Sequence, residues 1–253
     1  MNFTILRFDT IESTNTEAIN QAKRGADEGL CIVANRQTAG RGRHGRVWIS
    51  ESNAGLYFSL VLRPKIEMRF LPLITLMSAV AVHETLKNFD LNSDIKWVND
   101  IHINGKKICG ILAETCETPK GLAVIVGIGI NLKSSNFPPE IAETATSIEA
   151  ETNQTANSET LLRNLTRNLT FYCDLLYESN GAEKIRGKWT RRSTYASRKS
   201  VKITLENEII FGTTRGIEEN GALRLELKSG EIRIIHAGDV EQVRQAKDKK
   251  GKN

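Results

Sequence analysis

Residues 37–48 read Gln-Thr-Ala-Gly-Arg-Gly-Arg-His-Gly-Arg-Val-Trp, and the alternation of glycine with cationic residues restricts this stretch to an irregular loop. On either side lie short apolar runs, Leu30 to Ala34 and Leu56 to Leu62, whose Val, Ile, Tyr and Phe predict strands. A loop set between two core strands, residues 35–55, is anchored at both ends, unlike a free basic tail of the kind that contacts RNA. Glycine lets backbone N–H groups converge on an anion, and arginine adds planar, permanently charged donors suited to carboxylate and phosphate. Like charges repel and glycine loses the most entropy on ordering, so the loop is expected to be mobile when empty and ordered by an anionic ligand.

The rest of the chain reads as an α+β protein. Thr14 and Glu17 have capping-box spacing, and Ala18, Ile19 and Ala22 follow at helical intervals, so a short helix is predicted from Ser13 onward. Leu73 to Phe89 predicts a buried helix, with Pro72 in its first turn. Ile95 to Trp97, Ile101 to Ile103 and Ile108 to Glu114 predict strands, with Asn104-Gly105 as a hairpin turn, and Leu122 to Leu132 predicts another. Residues 134–158 read as an irregular connection with one short helix. Leu161, Leu162, Leu165, Leu169, Tyr172 and Leu176 mark an amphipathic helix, and a second short helix follows through Lys184 to Arg191. Past Ser197 the chain breaks into short runs, Val201 to Leu205, Glu208 to Thr214, Ala222 to Leu227 and Ile232 to His236. The predicted architecture is a mixed β-sheet domain with helices over residues 1–195, a small SH3-like β-barrel domain over 196–245, and a disordered tail, 246–253.

Composition narrows the class. No apolar run approaches the ~20 residues of a membrane span, and the N-terminus lacks the pattern of a secretory signal, so a soluble, cytoplasmic protein is expected. Cys31, Cys109, Cys116 and Cys173 have no metal-ligand or CxxC spacing and are expected as reduced thiols. The formal net charge is +5, but Lys247, Lys249, Lys250 and Lys252 sit in the tail. Without them the charge is close to neutral, and no row of aromatic side chains marks a nucleic-acid surface.

Two further segments carry chemistry. Lys96-Trp97-Val98-Asn99-Asp100 is followed by Lys107-Ile108-Cys109-Gly110-Ile111-Leu112, where a strand-end lysine can reach an anion and Gly110 lets a flat ligand lie on backbone. A single Lys-Trp pair would more often be a half-buried strand with a snorkelling lysine. Gly127-Ile128-Gly129-Ile130-Asn131 lacks the third glycine of a dinucleotide fingerprint and leads into no helix, which argues against a Rossmann fold.

In this order, with Ser13-Thr14-Asn15 upstream, these segments resemble the biotin protein ligase family, the biotin-[acetyl-CoA-carboxylase] ligases. Residues 40–48 match its GRGRxGRxW signature, Lys96 to Asp100 its KWPND, Lys107 to Leu112 its KxxGIL and Gly127 to Asn131 its GxGIN-type strand. Residues 201–243 resemble its C-terminal domain. His44 stands where arginine is common and Val98 where proline is common.

The resemblance implies two steps. The biotin carboxylate attacks the α-phosphate of ATP, giving biotinyl-5'-adenylate and pyrophosphate, and an acceptor lysine amine then displaces AMP. Such chemistry asks for oriented positive charge rather than a protein nucleophile. By resemblance, Lys96 and Arg43 are the catalytic residues. Ser13, Thr14, Asn15, Gln37, Arg41, Gly42, Arg43, Lys96, Gly110, Leu112 and Gly129 bind biotin, and Arg41, Arg43, Trp48, Lys96 and Asn131 bind the nucleotide. Mg2+ enters with ATP and no protein metal site is expected. The implied partner is a biotin carboxyl carrier protein or domain of a carboxylase. With only twelve residues ahead of Ser13, no DNA partner is expected, nor is a membrane, and an exposed sheet edge leaves room for a homodimer. A lipoate or octanoate ligase is the nearest rival.

Overall fold

The computed structural model describes residues 1–134 and 137–242; the predicted tail lies outside them. The elements run β1 Thr4–Ile11, α1 Thr14–Lys23, β2 Leu30–Gln37, β3 Gly55–Leu62, α2 Leu73–Lys87, β4 Asp94–Lys96, β5 Asp100–Ile103, β6 Lys106–Thr118 and β7 Gly121–Asn131. Helices α3 Pro139–Ala142, α4 Ile148–Thr152, α5 Ser158–Leu176 and α6 Gly181–Thr190 follow. The chain ends in β8 Ser197–Thr204, β9 Ile209–Ile217, β10 Leu223–Glu226, β11 Ile232–Ile235 and β12 Asp239–Gln242.

Seven strands form one mixed sheet in the order β1-β2-β3-β7-β6-β5-β4, parallel only between β1 and β2. Every residue of β3 is buried. Such a continuous apolar strand needs cover on both faces. On one face Ala18 and Ala22 of α1 pack on Ile32, Val61 and Ile125. On the other, α2 joins the large core with α5 and α6.

Helix α2 corrects one expectation. With the turn before it, Met68–Lys87 has the length and hydropathy of a membrane span, yet its side chains from Leu73 to Leu86 are mostly buried in the core. Pro72 is its N-cap rather than a residue of its first turn. At α1 the predicted capping box is not formed. Ser13 is the N-cap, Glu17 instead bonds Gln21, and Gln37 Oε1 accepts from the Thr14 amide at 2.8 Å. The irregular connection holds two short helices, α3 and α4, rather than one.

Five antiparallel strands, β11-β10-β9-β8-β12, make the small sheet, and Val201, Ile203, Leu223, Leu225 and Val240 from it join the large core. Trp97, buried at the end of β4, donates from Nε1 to the Gly221 carbonyl at 3.0 Å. The small sheet is therefore fixed beside the segment around Asn99 and Asp100, which brings its β11–β12 turn to the site below.

Candidate active site

A cavity of about 230 Å³ opens between the glycine-arginine loop and the strands β3, β6 and β7. Its inner end is built from the start of α1. Ser13, Thr14 and Asn15 are buried there, together with half-buried Gln37 at the end of β2. Ser59, pointing up from β3, donates to Asn15 Oδ1 or Thr14 Oγ1, at 2.6 and 2.8 Å. Gln37 spans Thr14 and Ser50, accepting from Thr14 and donating to the Ser50 hydroxyl at 2.7 Å. These bonds fix the start of α1 at the inner end of the cavity.

Glycine lets the strands approach this end. Gly127 on β7 lies opposite both Ser59 and Leu112, and a Cβ there would fall 2.2 Å from Asn15 Oδ1. Further along, a Cβ on Gly129 would fall 2.4 Å from the Trp48 indole, so Trp48 packs against the backbone of β7 and beside Gly110. Its Nε1 is buried and finds no partner among the described residues.

The loop folds over the cavity as a small hairpin. Arg41 bridges Val47, Gly42 N donates to Arg46 O at 2.7 Å, and His44 takes a left-handed turn with φ 53°. Histidine is among the residues that tolerate this conformation, so its presence in place of arginine suits the turn. Side chains tie the hairpin down. Arg41 makes a two-pronged pair with Glu114 at 3.0 and 2.7 Å, Arg43 donates to Asn99 Oδ1 at 2.9 Å, and Arg46 pairs with Asp239 of the small sheet. Arg43 also lies 3.4 Å from the Gly238 carbonyl, and its burial lowers the guanidinium pKa against the pull of Asp239 and Asp100.

Charge concentrates at the outer end. Lys107 at the start of β6 lines the cavity, with Nζ 2.7 Å from Asp100 Oδ1 and 5.4 Å from the centre of the Trp48 ring. The Asp100 contact is an ion pair whose alignment falls short of a good hydrogen bond. Burial alone would raise the Asp100 carboxyl, but His102, Lys107 and Lys96 outweigh it and hold it well below the usual range. Asn131, at the end of β7, donates from Nδ2 to the Thr146 carbonyl at 2.9 Å, which leaves its Oδ1 as the acceptor. Phe137, Ile141 and Ala145 wall this part of the cavity.

Ser13, Thr14, Asn15, Gln37, Arg41, Gly42, Arg43, Trp48, Gly110, Leu112, Gly129 and Asn131 thus all line one cavity. Lys96 is the exception. It is not among the residues that line the cavity but pairs in register with Asp100 across β4 and β5, where burial lowers its pKa against the pull of Asp100. The sheet order explains this, because β4 is two strands further from the cavity than β6. Lys107 is the lysine that reaches it. Sequence reasoning also passed over Ser59, Glu114 and Asp239, polar residues in otherwise ordinary strand patterns.

Residues 7–131 match the biotin/lipoate A/B protein ligase family, and residues 199–242 match the biotin protein ligase C-terminal domain. The chain is 38% identical to the bifunctional ligase/repressor BirA of Bacillus spizizenii, over 92% of this chain and 72% of that protein. It is 32% identical to the biotin-[acetyl-CoA-carboxylase] ligase of Paracoccus denitrificans, over 90% of this chain and 96% of that one. Among solved structures it is similar to the biotin protein ligase of Aquifex aeolicus in complex with biotin and ATP. That match has a TM-score of 0.82 and 29% identity, covering 96% of this chain and 99% of the other.

Proposed function

Since the chain belongs to the biotin/lipoate A/B protein ligase family, we propose that its cavity activates biotin and hands it to an acceptor lysine. The protein is a biotin-[acetyl-CoA-carboxylase] ligase. It uses ATP to form biotinyl-5'-AMP and transfers the biotinyl group to a lysine of a biotin carboxyl carrier domain. The observation that carries this reading is the polarity of one cavity: a hydrogen-bonding end at Ser13 and Gln37, an apolar middle at Trp48 and Gly129, and a cationic end at Lys107 and Arg43.

Biotin fits that gradient. Its ureido ring takes the α1 end, where the Ser13 hydroxyl does not cap the helix and stays available. The acyl chain runs between Trp48, Gly110, Leu112 and Gly129, and the carboxylate meets Lys107. Asn131 Oδ1 suits the exocyclic amine of adenine, with Phe137 and Ile141 against the base. When the carboxylate oxygen attacks the α-phosphorus and pyrophosphate leaves, Lys107 and Arg43 stabilise the charge on the phosphoryl oxygens. The acceptor amine then attacks the acyl carbon and AMP leaves. Magnesium comes as part of the nucleotide substrate. Lys96 supports Asp100, which in turn holds Lys107.

Residues 1–195 form the catalytic unit in this reading, and 196–245 a second domain that holds the loop through Gly238 and Asp239. Free thiols at Cys31, Cys109, Cys116 and Cys173 suit a cytoplasmic setting.

Pyrophosphate release with MgATP and biotin, lipoate or octanoate tests the function. Release with biotin alone is expected; release with lipoate alone would move the protein to the lipoate branch of the family. Arg43→Gly removes the bonds to Asn99 and Gly238 that hold the loop shut. The variant should release its adenylate roughly tenfold faster than the parent, while synthesis slows by less than that factor. Trapping free adenylate with hydroxylamine measures this, and escape as slow as in the parent protein would remove the loop's role as a lid.

A further inference from the structure

Glu114 stands on β6 just behind the cavity wall, and one carboxylate serves both sides of the ring-binding end. Its Oε2 accepts from Asn15 Nδ2 at 2.7 Å, and both oxygens receive the Arg41 guanidinium at 3.0 and 2.7 Å. The Asn15 carboxamide is held by protein, with Ser59 on Oδ1 at 2.6 Å and Glu114 and the Leu112 carbonyl on Nδ2. Both of its amide hydrogens are thereby taken, and it fixes the start of α1. Arg41, in turn, is the first cation of the loop that folds over the cavity.

We propose that Glu114 is a positioning residue that couples closure of the loop to the seat of the biotin ring, so that Arg41 and Asn15 are held by one shared carboxylate. This inference rests on the biotin reading above. The ring can leave only when the loop opens, and opening requires Arg41 to give up a two-pronged, charge-assisted contact. Because Glu114 touches neither biotin nor the reacting phosphate, its loss should change how long biotin stays far more than how fast it reacts.

The test is a double-substitution cycle on biotin dissociation, followed by displacement of labelled biotin from the full-length protein. Glu114→Gln keeps an acceptor for Asn15 but meets Arg41 with an uncharged amide. This variant is expected to release biotin on the order of tenfold faster, with kcat at saturating biotin within about threefold of the parent. Arg41→Gln should speed biotin release by a similar factor, read on dissociation alone because Arg41 itself lines the cavity. The pair together should be no worse than either alone, and Glu114→Asp should recover part of the slow release. Multiplicative effects in the double variant would overturn the coupling, as would a fall in kcat with unchanged biotin release. Failure of the unaltered protein to bind biotin would instead overturn the functional reading, and the inference with it.

Discussion

Lys107→Ala is expected to lower the rate of biotin-dependent pyrophosphate release by about two to three orders of magnitude, the usual cost of removing one aligned donor from a developing anionic centre. Lys107 is the lysine of the two motifs that lines the cavity, and its ammonium sits between the Asp100 carboxylate and the face of Trp48. The loss should fall mainly on kcat, since the ring end of biotin is bound elsewhere. One complication is built into the site: alanine at 107 leaves a largely buried Asp100 without its nearest cation, with Lys96 and His102 alone to offset its charge, which destabilises the fold locally. Lys107→Ala combined with Asp100→Asn removes that orphan charge. If the double variant stays inactive while regaining the thermal stability lost in the single one, the defect is chemical. Lys96→Ala, one residue layer away, should cost clearly less. Activity of Lys107→Ala within tenfold of the parent would take this lysine out of the reaction.

The contrast between these two lysines shows what a sequence carries and where it stops. Both sit in strand-end motifs of the same appearance, and nothing local says which faces the ligand. That depends on strand order and on the irregular register between β5 and β6 near Ile101 and His102, both set by long-range pairing. The core strands are legible because unbroken apolar runs such as Leu56 to Leu62 have one plausible fate. Edge elements are not. β1 pairs on one side only and exposes much of its length, its apolar residues Ile5, Leu6, Phe8 and Ile11 do not alternate regularly, and β12 ends a sheet in four residues. The glycine-arginine loop is legible in its charge and its glycines, while its fastenings are not: Glu114, Asn99 and Asp239 lie between 56 and 193 residues away in sequence. Ser59 is hidden for the same reason, as a lone hydroxyl inside an apolar strand. Its value appears only once α1 is laid across β3.

That crossing leads to the second large effect. Gly127→Ala is expected to weaken biotin binding by about a hundredfold, the scale on which a displacement near 1 Å disables a positioned site. The added methyl would stand 2.2 Å from Asn15 Oδ1, well inside contact distance, so one partner must move. β7 cannot yield, because Gly127 is paired with Ser59 on one side and Leu112 on the other in the middle of the sheet. The Asn15 head group cannot simply rotate, because Ser59, Glu114 and Leu112 would each lose a partner in a buried setting. What remains is for the start of α1 to lift from the sheet, carrying Ser13 and Thr14 away from the ring and pulling Thr14 from Gln37. Overpacking of this kind costs about 1–3 kcal/mol of stability, so the variant should melt lower yet stay folded. Gly187→Ala serves as the control: it sits in α6 with 3.5 Å of clearance to the nearest side chain and should leave binding unchanged. Calorimetric titration with biotin reads both. Binding by Gly127→Ala within threefold of the parent would mean that Ser13, Thr14 and Asn15 do not set the ring site, and the α1 end of the cavity would lose its assigned ligand.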